Sequence, residues 1–500
     1  LRALLLAALL ALSLVARAAV DDATLRKLST GDGDEKAAVI AAIVASGDEG
    51  ASALLKRIAE GEVTVGGEKL EVTVNNRLRG EIEAGLASLA LLSPDVEARR
   101  AAVKSLASSA GETTAVLVKK ALARETDPAI KASLALIAAS IDLQSPDKAT
   151  RIAAIRALAS SPNPNTKTLL VPLAEPSEPD ADVRREARDS LKTVEARLGR
   201  AQFAGLIFTG VSLGSILLLA ALGLAITYGL MGVINMAHGE LIMIGAYTTY
   251  VVQNLFRAHA PGAFDAYLAL AAPMSFIVAA MVGMALERSV IRWLYGRPLE
   301  TLLATWGISL ILIQAVRTIF GAQNVQVENP SFMSGGIEMF AGVVLPWSRI
   351  VIIGFAAAVL VAVWLALSRT RLGLFVRGVT QNRAMAACVG VRTARIDTWA
   401  FGLGSGLAGL AGCALSQIGN VGPDLGQSYI VDSFMVVVLG GVGQLAGTVY
   451  AALGLGFANK LLESWSGAVL AKIVVLVFII VFIQKRPQGL FAVKGRTVET

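Results

Sequence analysis

The stretch GLMGVINMAHGELIMIGAY, residues 229–247, decides how the chain is read. With its neighbours it is apolar and long enough to cross a bilayer. Asn235, His238, Gly239 and Glu240 nevertheless interrupt its centre. Lipid cannot satisfy polar side chains or free backbone groups, so such an interruption is tolerated only where it is buried in protein or lines a cavity. The stretch therefore predicts a polytopic transmembrane helical bundle with a broken helix.

Composition agrees and adds a second part. Of 500 residues 55% are hydrophobic and 17% charged, with a mean hydropathy of +0.63. An average soluble chain is about 45–50% apolar and roughly 25% charged. The excess is uneven: sequence before Arg200 reads as soluble and sequence after it as bilayer, which predicts two domains. The net charge of +7 sits largely in short loops between apolar runs, the pattern of cytoplasmic loops and membrane-lipid contact, not of nucleic-acid binding. Cys388 and Cys413 fall in a basic loop and an apolar helix and read as two structural thiols. No cofactor and no metal site is indicated.

Residues 1–19 read as a signal peptide: Arg2, a short apolar run, then Ala16-Arg17-Ala18. Residues 20–200 then form an exported, periplasmic domain. SPDVEARRAAVKSLASS from Ser93, TDPAIKASLALIAAS from Thr126, SPDKATRIAAIRALASS from Ser145 and DADVRREARDSLKTV from Asp180 share one grammar. A cap residue opens each, and apolar residues follow at helical spacing, with Val103, Leu106, Ile152, Ile155 and Leu158 on buried stripes. Such units resemble a HEAT-like α-helical repeat domain. Alternating β-branched residues over 63–74 predict an inserted β-hairpin. AEPSEPDAD, from Ala174, breaks the last repeats.

Residues 201–491 form the transmembrane domain, with 492–500 a cytoplasmic tail. Spans are expected over 203–222, 223–256 (interrupted), 268–286, 301–320, 350–367, 399–418 and 469–483. A further stretch, 430–462, breaks at LGGVGQLAG. Arg288, Arg292 and Arg297, the arginines of 369–395 and the C-terminal Lys485 and Arg486 place those loops in the cytoplasm, whereas 321–348 lacks Lys and Arg. The second break, around Gly440, Gly441 and Gln444, has the same shape as the first. Paired breaks point to a translocation path; the competing reading is that glycines only allow close helix packing. On the first reading Asn235 and His238 face the path. Glu240 then opens the following half-helix, held by its free N–H groups.

NRAMAACVG, residues 382–390, predicts a short helix capped by Asn382 and stopped by Gly390. With Arg383 at its start, it displays Met385, Cys388 and Val389 as an apolar knob in a basic loop, suited to docking on a partner or to lying on the membrane surface.

These residues carry a resemblance. ITYGLMGVINMAHGELIMIGAY, LLATWGISLILIQAVRTIFG, TQNRAMAACVGV, GLAGLAGCALSQIG, VVLGGVGQLAGTVYAALGLGFANKLLE and RPQGLF are similar to the branched-chain amino acid type of ABC importer permease. The helical repeats in front, with NNRLR at 75–79, resemble the urea-transporter branch. The resemblance implies a non-enzymatic transport subunit in the bacterial inner membrane. It also implies a second permease subunit, cytoplasmic ATPase subunits and a periplasmic substrate-binding protein as partners. The 382–389 helix then couples to the ATPase. The chain has no G-x-x-x-x-G-K-[ST] motif, so ATP hydrolysis belongs to a partner. No charged pair suited to an amino acid is evident in the spans, which favours urea or a short amide. Import of a branched-chain amino acid stays open, as does an ion-coupled secondary transporter, for which Glu240 is the one strong in-span carboxylate.

Overall fold

Side-chain caps set where the helices of the first part begin. In the computed structural model, residues 22–491 are described, apart from 47–48, 66–67, 73, 110, 112–113, 162 and 341–342. The expected signal peptide and the 492–500 tail lie outside the described residues. The chain divides into one unit ending at Gly199 and another starting at Arg200.

The first unit contains α1 (Asp22–Thr30), α2 (Gly33–Ser46), α3 (Glu49–Ala59), the antiparallel strands β1 (Glu62–Val65) and β2 (Glu68–Glu71), α4 (Asn76–Ala90), α5 (Val96–Ser109), α6 (Ala115–Arg124), α7 (Pro128–Asp142), α8 (Lys148–Ser160), α9 (Thr166–Ala174) and the first turns of α10 (Ala181–Met231). Asp127 Oδ1 accepts from the Ala129 amide at 2.8 Å, and Asp147 caps α8 in the same way. Each satisfies N–H groups that a helix start leaves free.

The apolar core of this unit is spread along the chain. One cluster holds Ile40, Leu55 and Ile82, the next Leu106, Val118 and Leu134, and a third Ile155, Leu158 and Val183. Val103, Leu106, Ile155 and Leu158 are buried as expected, while Ile152 is only half-buried at the edge of the third cluster. An ion pair recurs with the helices. Arg99 Nε lies 2.9 Å from Glu125 Oε2, and Arg151 Nη1 donates to Glu178 Oε1 at 3.0 Å. In both cases the glutamate stands two residues before a capping aspartate and accepts its amide hydrogen.

The second unit continues α10 and adds α11 (His238–His259), α12 (Tyr267–Ser289), α13 (Pro298–Phe320), strands β3 (Gly336–Phe340) and β4 (Val343–Pro346), α14 (Trp347–Arg369), α15 (Arg371–Gln381), α16 (Arg383–Cys388), α17 (Thr393–Ser416), α18 (Leu425–Gly440), α19 (Leu445–Ser466) and α20 (Ala468–Lys485). Among the described residues seven helices are long and apolar enough to cross a membrane, with α18 a shorter apolar one. The architecture is an all-α polytopic bundle with broken helices.

Helix α17 is the buried centre. Its small residues let α10, α11 and α12 approach to backbone distance, with Gly404 against Gly223 and Gly409 against Gly245. Close packing of small residues is how helices associate where lipid offers no hydrophobic driving force.

Two expectations are corrected here. The boundary expected between 222 and 223 does not exist, because α10 runs through Gly223, whose missing side chain admits Gly404. The loop 321–348, for which the sequence indicated no secondary structure, carries the β3–β4 hairpin, and Val325 bridges to Val421.

Candidate functional site

The first break spans residues 232–237, between α10 and α11. Gly232 opens it at φ 66°, a left-handed conformation that glycine adopts without strain. The segment then doubles back, since His238 Nε2 lies 3.0 Å from the carbonyl oxygen of Ala220, two to three turns up α10. The ring proton therefore sits on Nε2 as donor. Asn235 Oδ1 accepts from the Ala237 amide at 3.1 Å, and Thr305 Oγ1 of α13 accepts from the Met236 amide at 3.2 Å. Ser309 Oγ, midway along α13, donates to Glu240 Oε1 at 2.8 Å.

These contacts change two expectations. Glu240 is in the first turn of α11, as the sequence suggested, but Ser309 holds it and no hydrogen bond joins its carboxylate to the free amides. The His238 and Glu240 amides donate instead to the carbonyl oxygens of Asn235 and Ala237, while Asn235 and Thr305 take the amides of Ala237 and Met236 just before the helix. Asn235 and His238 are buried, and Asn235 is built into the turn itself. Even so, Asn235 Nδ2, His238 Nδ1 and Glu240 Oε2 are buried without a partner in the chain. Buried polar atoms are nearly always paired, so these three leave hydrogen-bonding capacity free at the break.

Gly239 brings in a second helix start. A Cβ placed on it would lie 2.6 Å from the carbonyl oxygen of Gly426, in the first turn of α18. The N-termini of α11 and α18 thus meet beside Glu240.

The second break is shorter than expected, residues 441–444. Gly440 ends α18 against Gly447, Gly441 has φ 99°, and Gln444 opens α19. The C-terminal segment closes it: the Leu490 amide donates to the Leu439 carbonyl oxygen at 2.8 Å, and Phe491 stacks on Tyr450. The structure does not gather both breaks into one site. Asn235, His238, Gly239 and Glu240 lie together, whereas Gly440, Gly441 and Gln444 lie at the far end of α18. The link is Gly229, near the end of α10, on which a Cβ would come 2.7 Å from Gly443 Cα.

The 382–390 segment folds as its signals indicate. Asn382 Oδ1 accepts from the Met385 amide at 2.9 Å, and Gly390 follows the helix at φ 88°. Met385 and Val389 are 61% and 72% exposed, and Cys388 is exposed. Arg383 turns the other way. It pairs with Asp397 of α17 and lies over the Tyr295 ring, 5.1 Å from its centroid, pinning α16 to the bundle.

Residues 206–483 match the family described as branched-chain amino acid transport system / permease component. The chain belongs to that family. LivH, the high-affinity branched-chain amino acid transport system permease protein of Salmonella typhimurium, is 28% identical over 292 residues, covering 57% of this chain and 94% of LivH. BraD of Pseudomonas aeruginosa, a permease protein of the same description, is 29% identical over 290 residues, again 57% and 94%. The ribose import permease protein RbsC of Escherichia coli K12 is 33% identical over 109 residues, 20% of this chain and 34% of RbsC. No solved structure matches. The chain is a transport permease component and not an enzyme.

Sequence reasoning missed several buried charges of this permease. Glu287, fully buried at the end of α12, accepts from Thr398 Oγ1 at 2.7 Å and from the Tyr295 hydroxyl at 3.0 Å, and pairs with Arg292. Burial and the neighbouring carboxylates raise the Tyr295 hydroxyl above the ordinary phenol range, so it remains a donor. Tyr295 also packs against a cluster formed by Val233 of the first break, Ile291 and Phe401. One tyrosine thus meets both the anchor of α16 and the cluster that contains Val233. Glu287, Asp397, Asp432 and Lys472 were all findable as ionisable residues inside expected spans or at their ends, which corrects the reading of Glu240 as the one strong in-span carboxylate.

Proposed function

We propose that this chain is a permease subunit of an ATP-driven, binding-protein-dependent importer, and that it carries urea or a short amide. The observation that carries the first part is α16: a helix anchored by Arg383 to Asp397 that presents Met385 and Val389 to solvent. Apolar side chains held outward on a pinned helix suit a groove on a partner, and an ATPase subunit is the partner an importer requires. Tyr295 offers a mechanical connection from that helix to the break at Val233. A second permease subunit and a periplasmic binding protein complete the assembly.

In this reading residues 20–200 are periplasmic, and the 288–297 loop, the 369–395 loop and the C-terminus are cytoplasmic. Seven helices long and apolar enough to cross, an odd number, fit that orientation, as does the absence of Lys and Arg from 321–348. Asn235, His238, Gly239 and Glu240 line the first constriction of the path, and Gly440, Gly441 and Gln444 the second. The repeat grammar of the first unit, placed before a permease, favours urea.

A specific observation favours a second substrate. LivH and BraD are named for branched-chain amino acids, and the spans do hold a charged pair, Asp432 and Lys472. The sequence argument against an amino acid therefore falls. Purifying the complex from its native membrane and identifying the small molecule bound to the co-purified binding protein decides between them. Urea or an amide supports the proposal; leucine, isoleucine or valine replaces it.

A further inference from the structure

The pair Asp432 and Lys472 lies outside both breaks and has no structural work comparable to that of the other buried carboxylates. Glu287 is met by a hydroxyl, a phenol and a guanidinium, and Asp397 by Arg383. Asp432 has only Lys472 Nζ, 3.6 Å from its Oδ2, where a hydrogen-bonded ion pair closes to roughly 2.7–2.9 Å. Both groups keep hydrogen-bonding capacity to spare.

Their surroundings form an open groove of about 320 Å³ between α18 and α20, with Val431 and Ile473 exposed along it. Gln427 and Ser428 give it a polar end, and Met435 and Leu476 an apolar wall. The Asp432 side chain is 9% exposed and that of Lys472 58%. Lysine one turn inside a helix can reach towards the interface, but a carboxylate two turns inside α18 cannot. A surface bearing Gln427, Ser428 and this pair is costly against lipid and stable only where water or protein covers it. Position points the same way: at about 1.5 Å per residue, Asp432 lies ~9 Å along α18 from Gly426 at the first break and ~13 Å from Gly441 at the second.

We infer that Asp432 and Lys472 bind the transported solute between the two breaks. The carboxylate accepts the solute's N–H groups and the ammonium donates to its carbonyl or carboxylate oxygen. A small solute with both functions fits: urea and an amino acid share that chemistry, and the groove is at the small end of the usual ligand range of about 300–1,000 Å³. The inference rests on the permease reading above and deepens it.

The test uses the complete transporter in sealed vesicles, measuring uptake of radiolabelled urea and of radiolabelled leucine beside ATP hydrolysis. Asp432→Asn and Lys472→Gln should each lower uptake of the solute carried by about tenfold or more, the worth of a charged hydrogen bond, while ATP hydrolysis stays within about twofold. Asp432→Glu, which keeps the charge, should retain more uptake than Asp432→Asn. The exchanged pair, Asp432→Lys with Lys472→Asp, restores the ion pair but reverses it, and should not recover uptake. Recovery to half the unmodified rate, or undiminished uptake in both single variants, would overturn the assignment by showing a bridge of structure only. Which solute is lost, urea or leucine, identifies the substrate, and either loss supports the site. If the unmodified transporter moves neither solute on ATP, both substrate readings on which the site rests fail, a result distinct from normal transport by the variants.

Discussion

Gly239 and Gly426 touch backbone to backbone, so that a Cβ placed on Gly239 would lie 2.6 Å from the Gly426 carbonyl oxygen. Through this contact the first turns of α11 and α18 converge in the interior of the bundle. Helix N-termini carry partial positive charge, and Glu240 stands in one of the two converging turns. The contact fixes the frame on which Asn235, His238 and Glu240 are displayed.

Replacing Gly426 by Ala should therefore damage the protein, because two backbones must separate to admit one methyl group. Overpacking of this kind costs typically about 1–3 kcal/mol. Gly354→Ala in α14 is the control, since nothing lies within 4 Å of its added Cβ. Thermal unfolding of the purified protein in detergent should show a lowered midpoint for Gly426→Ala and none for Gly354→Ala. Equal midpoints would contradict the close approach.

Asn235→Ala removes the acceptor of the Ala237 amide at a buried position. A buried donor left unsatisfied costs about 1–3 kcal/mol. Asn235→Ser keeps an uncharged acceptor for that amide and should fold better than Asn235→Ala in the same assay. The opposite order would mean that Asn235 does not hold the turn.

Much of this was legible in the sequence. Breakers within an apolar run located both interruptions, and Asn382 and Gly390 gave both ends of α16. What escaped depends on partners far along the chain. Thr305 and Ser309 are ordinary residues of an apolar helix until folding sets them beside Met236 and Glu240. Gly426 carries no local signal for its contact with Gly239. The role first given to Glu240, as acceptor for its own helix, followed from its neighbours alone, whereas its carboxylate accepts from Ser309, 69 residues away.

Tyr295 separates two roles that one substitution can test. Tyr295→Phe loses the 3.0 Å bond to the Glu287 carboxylate, worth about 1.5–3 kcal/mol, but keeps the ring under Arg383. Tyr295→Leu loses both. If Tyr295 connects α16 to the break, ATP hydrolysed per solute imported should rise modestly in Tyr295→Phe and steeply in Tyr295→Leu. An unchanged ratio in both would remove Tyr295 from the coupling route.

The ion pairs of the first unit set an acid limit. The Arg99 guanidinium holds the Glu125 carboxyl below its ordinary range, and Arg151 does the same for Glu178. A carboxylate with a depressed folded-state pKa contributes stability above its unfolded value, and the contribution is lost as pH falls through the folded value. Stability of this unit should thus hold from neutral pH down to about 4.5, the ordinary glutamate value, and fall below it. Glu125→Gln and Glu178→Gln together should flatten that dependence, read as protease resistance of the intact chain across pH. A dependence unaffected by the double change would contradict it.

Met385→Glu puts a charge on the exposed face of α16, which costs several kcal/mol if a partner groove buries it unpaired. The chain should insert and fold as before, yet lose its ATPase subunits on purification. Retention of those subunits with normal uptake would place the docking surface elsewhere.

The most direct measurement is uptake by right-side-out membrane vesicles given binding protein, with ATP trapped inside and ion gradients collapsed by ionophores. The account predicts that radiolabelled urea accumulates with ATP and not without it. Accumulation that needs an ion gradient and ignores ATP would contradict the claim that this permease is one subunit of an ATP-driven importer.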